Sequence, residues 1–402
     1  MKVLFLLNGL THYVIPVLNK INQLENVEVI AISAGQHSSN VGSGVYLSEN
    51  GINFKVYFDN EIERIYRKTF FQNFKIILDN EQPNIIVLGW PFVLELVFNP
   101  FLTFHIKKNK IKILFKEIPF QVQPFYDAIK FKSTEFINEN LELIDESFKR
   151  KISNFFIAII RSVYYRIADG IITYTEDSYK LLKTFGVSKE KIFVSYNSPD
   201  TELLKAVKNQ ALSSEPILAY NYQRLIHVGR LVKWKRVDFL LKAIKDLENK
   251  FPQIELIIIG NGPENEKLKL FTEELGVRDR VMFLGAIYDS VLLAKYFLSS
   301  GVYVLGGMGG LSINEAMIFG KPVICSICDG TERKLVQNGR NGLIFINGDY
   351  EDFKNKLSLL LSDEDKIRKF GRQSEKIIEN EVNIYNVLNG YKRAFDYLMK
   401  YL

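Results

Sequence analysis

Apolar positions along this chain follow two rhythms that alternate. Short continuous runs rich in β-branched or aromatic residues read as buried strands: Val3 to Leu7, Val27 to Ile32, Ile85 to Trp90, Ile111 to Phe115, Gly170 to Tyr174 and Ile192 to Tyr196. Between them the spacing becomes helical, over Val14 to Leu24, Ile62 to Leu78, Phe92 to Lys108, Phe136 to Ala168 and Glu176 to Phe185. Gly35 to Gly44 is polar and reads as a surface loop. Leu203 to Pro216 is polar and ends in Ser-Ser-Glu-Pro, so a linker is expected there. The alternation then restarts. Strands are expected at Arg224 to Val228, Ile254 to Ile259, Val281 to Leu284, Val302 to Leu305 and Pro322 to Cys325. Helices are expected at Arg236 to Phe251, Glu264 to Leu275, Ser290 to Ser299 and Leu311 to Phe319. In the first of these helices Val237, Leu240, Leu241, Ile244 and Leu247 form one apolar face, as packing on a sheet requires. Ser362 to Leu402 reads as helical with breaks. The pattern predicts an α/β protein with two Rossmann-like halves.

The length of 402 residues is enough for two ordinary domains. A net charge of +6 favours acidic partners such as phosphorylated substrates or an anionic lipid surface, and nucleic acid is not expected. The cations are clustered. Lys107, Lys108, Lys110, Lys112 and Lys116 have no acid among them, and Lys149, Arg150, Lys151, Arg161 and Arg166 surround the run Phe155 to Ile160. The start, M-K-V-L-F-L-L-N-G, reads as a first strand rather than a signal peptide. No run is long enough to span a membrane. A cytoplasmic protein is therefore expected, peripheral on the inner face of the membrane if the second cluster rests on anionic lipid. Cys325 and Cys328 form a CxxC without thioredoxin-like context or further zinc ligands, and are expected to be ordinary buried thiols.

The chemistry gathers in the second half. Val302 to Cys325 reads as strand, glycine loop, helix and strand, with Gly306, Gly307, Gly309 and Gly310 in the loop and Glu315 one turn into the helix. Such a junction suits phosphate, because the first helical N–H groups are unpaired and sit at the positive end of the helix dipole. Arg230 follows a strand and Gly229, and Lys235 stands at the next helix start. Two cations so placed can converge on a diphosphate, Arg as a fork and Lys as a point charge. I-I-I-G-N-G-P-E, ending at Glu264, and V-M-F-L-G-A-I, ending at Ile287, are further strand-to-glycine turns.

The order V-G-R-L-V-K-W-K-R-V-D, I-I-G-N-G-P, F-L-G, then G-L-S-I-N-E-A-M-I-F-G-K-P-V-I, closed by Asn341-Gly342-Leu343, resembles the C-terminal domain of the family 4 glycosyltransferases. The resemblance covers roughly Arg224 to Ile346. It implies the GT-B fold: two Rossmann-like domains facing across a cleft, residues 1–202 for the acceptor and 203–384 for the nucleotide sugar. A C-terminal helix, 385–402, is expected to pack back on the first domain. It implies that Arg230 and Lys235 hold the donor diphosphate and that Glu315 accepts from the ribose hydroxyls. Gly310, Leu311 and Ser312 would offer N–H groups to the distal phosphate and sugar, beside Gly262, Gly307 and Gly309. Ala286 and Ile287 would lie along the base, and Gly9 would approach the diphosphate from the first domain. His12 and Glu117 are candidates for acceptor contact. No metal or other cofactor is expected.

Two positions depart from the family pattern. Gly307 stands eight residues before Glu315, where a sugar-contacting glutamate is usual, and Arg236 stands where glycine is favoured. The expected function is transfer of a sugar, with retention, from a nucleotide diphosphate to a glycan or lipid-linked glycan. UDP is favoured and GDP is the other base considered; surface polysaccharide synthesis is the expected context. The rival readings are an inactive glycosyltransferase-like binding or scaffold protein and a dinucleotide-dependent oxidoreductase. The first loop, N-G-L-T-H, lacks the dinucleotide fingerprint.

Overall fold

The computed structural model describes residues 1–34, 47, 50–120, 122–134, 136–142 and 147–400. The expected loop Gly35 to Gly44 lies outside them. The chain forms two compact units. One comprises Met1–Phe136, Ile144–Tyr196 and Tyr385–Leu402, and the other Ile137–Leu143 and Asn197–Ile384.

The first unit is built on β1 (Lys2–Leu6), β2 (Glu28–Ser33), β3 (Lys55–Phe58), β6 (Ile85–Gly89), β7 (Lys112–Lys116), β8 (Gly170–Thr173) and β9 (Ile192–Val194), with an antiparallel ribbon of β4 (Glu61–Glu63) and β5 (Thr69–Phe71) beside them. The sheet order is β3-β2-β1-β6-β7-β8-β9, parallel throughout. The central strands are buried on both faces, which is why they read as continuous apolar runs. The helix Ile384–Met399 packs on this unit over its greater part. Tyr391 meets Phe5, Arg393 donates to the Val194 carbonyl at 3.0 Å, and a side chain at Gly390 would strike Ser195.

Several local expectations are corrected. Ile62 to Leu78 is not one helix but the ribbon followed by the helix Phe74–Glu81. Arg67 turns the ribbon at φ 54°, and the Asp59 carboxylate closes it by accepting from the backbone and side-chain N–H groups of Asn73. Phe92 to Lys108 is two helices split at Asn99, whose side chain caps the second one, with Pro100 in its first turn. Among the described residues of Phe136 to Ala168, the helix runs over Phe148–Ile167. Before it, the Asn138 side chain accepts from the N–H groups of Asn140 and Glu142 and holds a turn. The expected linker Leu203 to Pro216 is mostly the helix Thr201–Leu212, capped by Asp200.

The second unit contains β10 (Asn221–Val228), β11 (Glu255–Ile259), β12 (Val281–Phe283), β13 (Ser300–Val304), β14 (Val323–Ser326) and β15 (Gly342–Phe345). They are parallel, in the order β12-β11-β10-β13-β14-β15. The direction of winding reverses between β10 and β13. Ligands of open α/β sheets bind outside the carboxyl ends of the strands at such a point. Arg230 follows β10 and the glycine loop follows β13. The sheet order thus brings together two motifs about eighty residues apart in the chain.

Helix Val237–Leu247 buries Val237, Leu240, Leu241, Ile244 and Leu247, the predicted face, along with Phe239 and Ala243. Arg236, just before it, adopts the left-handed conformation at φ 50° and ψ 45°. Its guanidinium pairs with Asp238 and lies 3.6 Å from the centroid of the Phe239 ring. Arg236→Ala and Arg236→Gly both lose those contacts and differ mainly in backbone cost. The glycine variant is expected to be about 1 kcal/mol the more stable in urea unfolding; equal stabilities would refute a left-handed residue here.

Candidate functional site

Three glycine turns stack at the carboxyl ends of β10, β11 and β12. The Gly229 N–H donates to the Ile259 carbonyl, Gly260 to Gly285, and Leu231 to Asn261. A side chain at Gly260 would strike the Gly229 carbonyl, and one at Gly262 the Leu231 carbonyl. The bare Cα of Gly262 is therefore required by the chain itself. Ala286 and Ile287 leave this layer just after Gly285 (φ 68°), with Ala286 exposed.

The loop after β13 is clamped by the turn Lys233–Lys235. The Met308 N–H donates to the Trp234 carbonyl at 2.9 Å, and the Lys235 ammonium donates to the carbonyls of Met308 and Gly309 at 2.8 and 2.6 Å. A Cβ at Gly307 would strike the Trp234 carbonyl and lie 3.1 Å from Arg236 Cγ, and one at Gly309 would strike the Glu332 carboxylate. At Gly310 the nearest atom is Lys235 Nζ at 3.6 Å, so this glycine alone among the three leaves its space open. Burial, with Arg230 nearby, lowers the Lys235 ammonium to about 8. Arg230 lies 3.8 Å from Glu139, an acid that the sequence reading did not select. The Trp234 N–H donates to the Glu139 carbonyl, which holds that segment against the turn.

Leu311 precedes the helix Ser312–Ile318, and the Ser312 hydroxyl pairs with Tyr303 at 2.7 Å. Glu315 follows in the first turn. Its carboxylate takes no hydrogen bond from any described residue, and burial raises it to about 7. His227, fully buried on β10, faces the Val304 carbonyl through Nδ1 and has no partner at Nε2; burial depresses it to about 4. Glu332 was also missed. It follows β14 in D-G-T-E, a junction of the same strand-to-turn kind as the others, and that position was the signal available.

In the first unit, Gly9 is buried and His12 exposed in the loop after β1, where His12 meets Tyr13 edge-on. Glu117 is buried at the end of β7 with both oxygens engaged. Oε2 accepts from Arg161 at 3.1 Å and Tyr165 at 2.5 Å, and Oε1 accepts from the Ile118 N–H. This favours a structural anchor over acceptor contact. Cys325 and Cys328 are free thiols, and burial pushes Cys328 up to about 12, far from thiolate chemistry. Among the described residues no three His, Cys, Asp or Glu side chains form a metal-ligand group. None of their helices is long and apolar enough to cross a membrane.

The two units of parallel sheet share the GT-B fold of the solved structures similar to the chain. Residues 209–377 match the family described as Glycosyl transferases group 1, which bears out the resemblance read from the motifs. An uncharacterized glycosyltransferase of Methanocaldococcus jannaschii is 24% identical over 261 residues, covering 64% of this chain and 65% of that protein. The poly(glycerol-phosphate) alpha-glucosyltransferase of Bacillus subtilis is 27% identical over 213 residues, covering 52% of this chain and 30% of that protein. The chain spans less than two thirds of the length of either. Among solved structures, Anabaena HepE in complex with UDP superposes with a TM-score of 0.68 at 18% identity, covering 98% of this chain and all of that one.

Gly307→Glu would place the family's usual residue in the loop, against the Trp234 carbonyl. Overpacking of this kind is expected to cost about 1–3 kcal/mol in urea unfolding. A variant as stable as the parent would show that the loop can move away from Trp234.

Proposed function

We propose that the protein is a retaining glycosyltransferase that moves a sugar from a nucleotide diphosphate, UDP before GDP, to a glycan or lipid-linked glycan. The observation that carries this reading is the pair of cations at the switch point of the second sheet. Lys235 is bonded only to carbonyl oxygens among the described residues, and its affinity for a proton is reduced by burial and by Arg230. A bound diphosphate supplies a negative charge for Lys235, whose hydrogen bonds go to carbonyl oxygens among the described residues. In the transfer step the bond between the anomeric carbon and the diphosphate breaks as the acceptor oxygen attacks from the same face. The leaving diphosphate takes the acceptor's proton. Arg230 and Lys235 stabilise the charge growing on the diphosphate, assisted by the N–H groups of Gly310, Leu311 and Ser312. Glu315, whose carboxylate takes no hydrogen bond from any described residue, accepts from the ribose hydroxyls. Of the two acceptor candidates in the first unit, His12 is exposed in the loop after β1, whereas Glu117 is buried and bonded by Arg161 and Tyr165. No metal or further cofactor takes part in this scheme. The UDP bound by HepE and the glycerol-phosphate polymer named for the B. subtilis relative support the choice of base and of surface polysaccharide as context.

The reading places the protein in the cytoplasm, on the inner face of the membrane. Helix Phe148–Ile167 bears five cations and no acid. Phe148, Ile152, Phe156, Ile159 and Val163 are all exposed along it, Phe148 at 72% and Phe156 at 58%. Their spacing of three and four residues makes one apolar stripe, suited to the boundary of anionic lipid.

Calorimetry with UDP tests the donor site. Glu315→Ala is expected to lose about 1.5–3 kcal/mol of UDP binding, roughly ten- to a hundredfold in Kd. Lys235→Ala is expected to lower the rate of UDP release from UDP-sugars more than it weakens UDP binding. Unchanged UDP affinity in the first variant refutes the ribose assignment, and unchanged turnover in the second removes Lys235 from the site.

Co-sedimentation with phosphatidylglycerol vesicles tests the membrane reading. Binding at low salt is expected, weakened by salt and by Phe148→Ser with Phe156→Ser, since each buried Phe contributes about 1.5–3 kcal/mol. A parent protein that stays in the supernatant at low salt would rule the surface out.

A further inference from the structure

Resting on the glycosyltransferase reading above, we propose that Glu332 is the carboxylate that reads the donor sugar, reaching over Gly309 into the loop where Gly307 offers no side chain. Glu332 is fully buried. One oxygen, Oε2, accepts from the N–H groups of Cys328 and Gly330 at 3.3 and 3.1 Å, which fixes the direction of the side chain. The other, Oε1, has no hydrogen-bond partner among the described residues. An unpaired carboxylate oxygen in the interior costs the full desolvation of the group, so such an atom is expected to have a ligand in the working state.

The place that Oε1 occupies is specific. It is the space that a side chain at Gly309 would fill, since a Cβ built there strikes this same oxygen. Gly309 is also the residue whose carbonyl holds the Lys235 ammonium. The loop between the sheet and the helix of Glu315 therefore has a diphosphate-seeking cation bonded to its backbone and an unpartnered acceptor packed on its bare Cα. An acceptor at that point suits a hydroxyl-rich group attached to the distal phosphate, which is the sugar of the donor. Burial raises the carboxyl toward neutrality, with Asp329 adding to the effect. The group can thus accept from, or donate to, a sugar hydroxyl.

The inference separates sugar from nucleotide. Titration of the full chain with UDP, and with UDP-glucose, UDP-galactose and UDP-N-acetylglucosamine, gives the contribution of each sugar as a ratio of affinities. In Glu332→Gln the UDP affinity is expected to stay within about threefold. The best sugar's advantage over UDP is expected to fall about tenfold or more, the size of one charged hydrogen bond. The ranking of the three sugars is expected to flatten. Gly309→Ala, which pushes Oε1 aside without touching the carboxylate's chemistry, is expected to flatten the ranking of the three sugars as well. A purely structural Glu332 would lower UDP and UDP-sugar affinities together and leave the ranking intact, and that result overturns the proposal. So does an unchanged sugar contribution in both variants. If Glu332→Gln fails to fold, Gly309→Ala alone decides between these outcomes. Failure of the parent protein to bind UDP, and equally GDP with GDP-mannose, would instead refute the donor reading on which the proposal rests.

Discussion

The Lys235 ammonium, bonded to the carbonyls of Met308 and Gly309, is the contact on which the second unit's site depends. It ties the turn after β10 to the loop after β13, across the point where the sheet reverses its winding. A lysine with only carbonyl partners remains an unneutralised charge. Burial and Arg230 lower its proton affinity, yet at about 8 it is still mostly charged near neutral pH. The protein therefore keeps a cation in the interior without an acid bonded to it. The carbonyls satisfy its hydrogen bonds but not its charge, and a site built in this way favours an anion.

The same contact decides which glycines matter to a ligand and which matter to the fold. The sequence presents Gly262, Gly307, Gly309 and Gly310 as equivalent loop residues. In the structure the first three are bare because carbonyls of Leu231 and Trp234 and the carboxylate of Glu332 occupy their side-chain positions. Only Gly310 borders open space beside Lys235. Close backbone approach inside the protein and close approach of a ligand both select glycine, and a sequence cannot tell them apart.

That distinction marks the limit of what was legible. The alternation of strands and helices in two halves follows from long apolar runs, and the placing of Arg230 after β10 and Glu315 in the helix after β13 follows from motifs whose spacing repeats a family's. Local hydrogen bonds made by Asp59, Asn99, Asn138 and Asp200 were not legible as such. These side chains end or redirect elements, and their composition reads as helix or linker. Glu332 was overlooked for a related reason. In the segment D-G-T-E-R-K it looks like one more solvated charge, and only the fold shows that its carboxylate turns inward. Glu117 went the other way: a carboxylate at a strand end looked available, but Arg161 and Tyr165 already hold it.

The two departures from the family pattern, Arg236 for glycine and Gly307 for glutamate, lie side by side in the structure. A Cβ at Gly307 would lie 3.1 Å from Arg236 Cγ, and one at Gly306 3.0 Å from Arg236 Cβ. With a side chain at 236, the loop after β13 has less room on that face. The arginine also accepts a left-handed backbone that glycine would adopt without strain, held there by Asp238 and the Phe239 ring. Either substitution taken alone looks like the loss of a useful residue. Trp234 and Arg236, the latter paired with Asp238, border the loop at Gly307, and Glu332 borders it at Gly309. The buried acid packed against the glycine loop is Glu332, at Gly309 rather than at position 307.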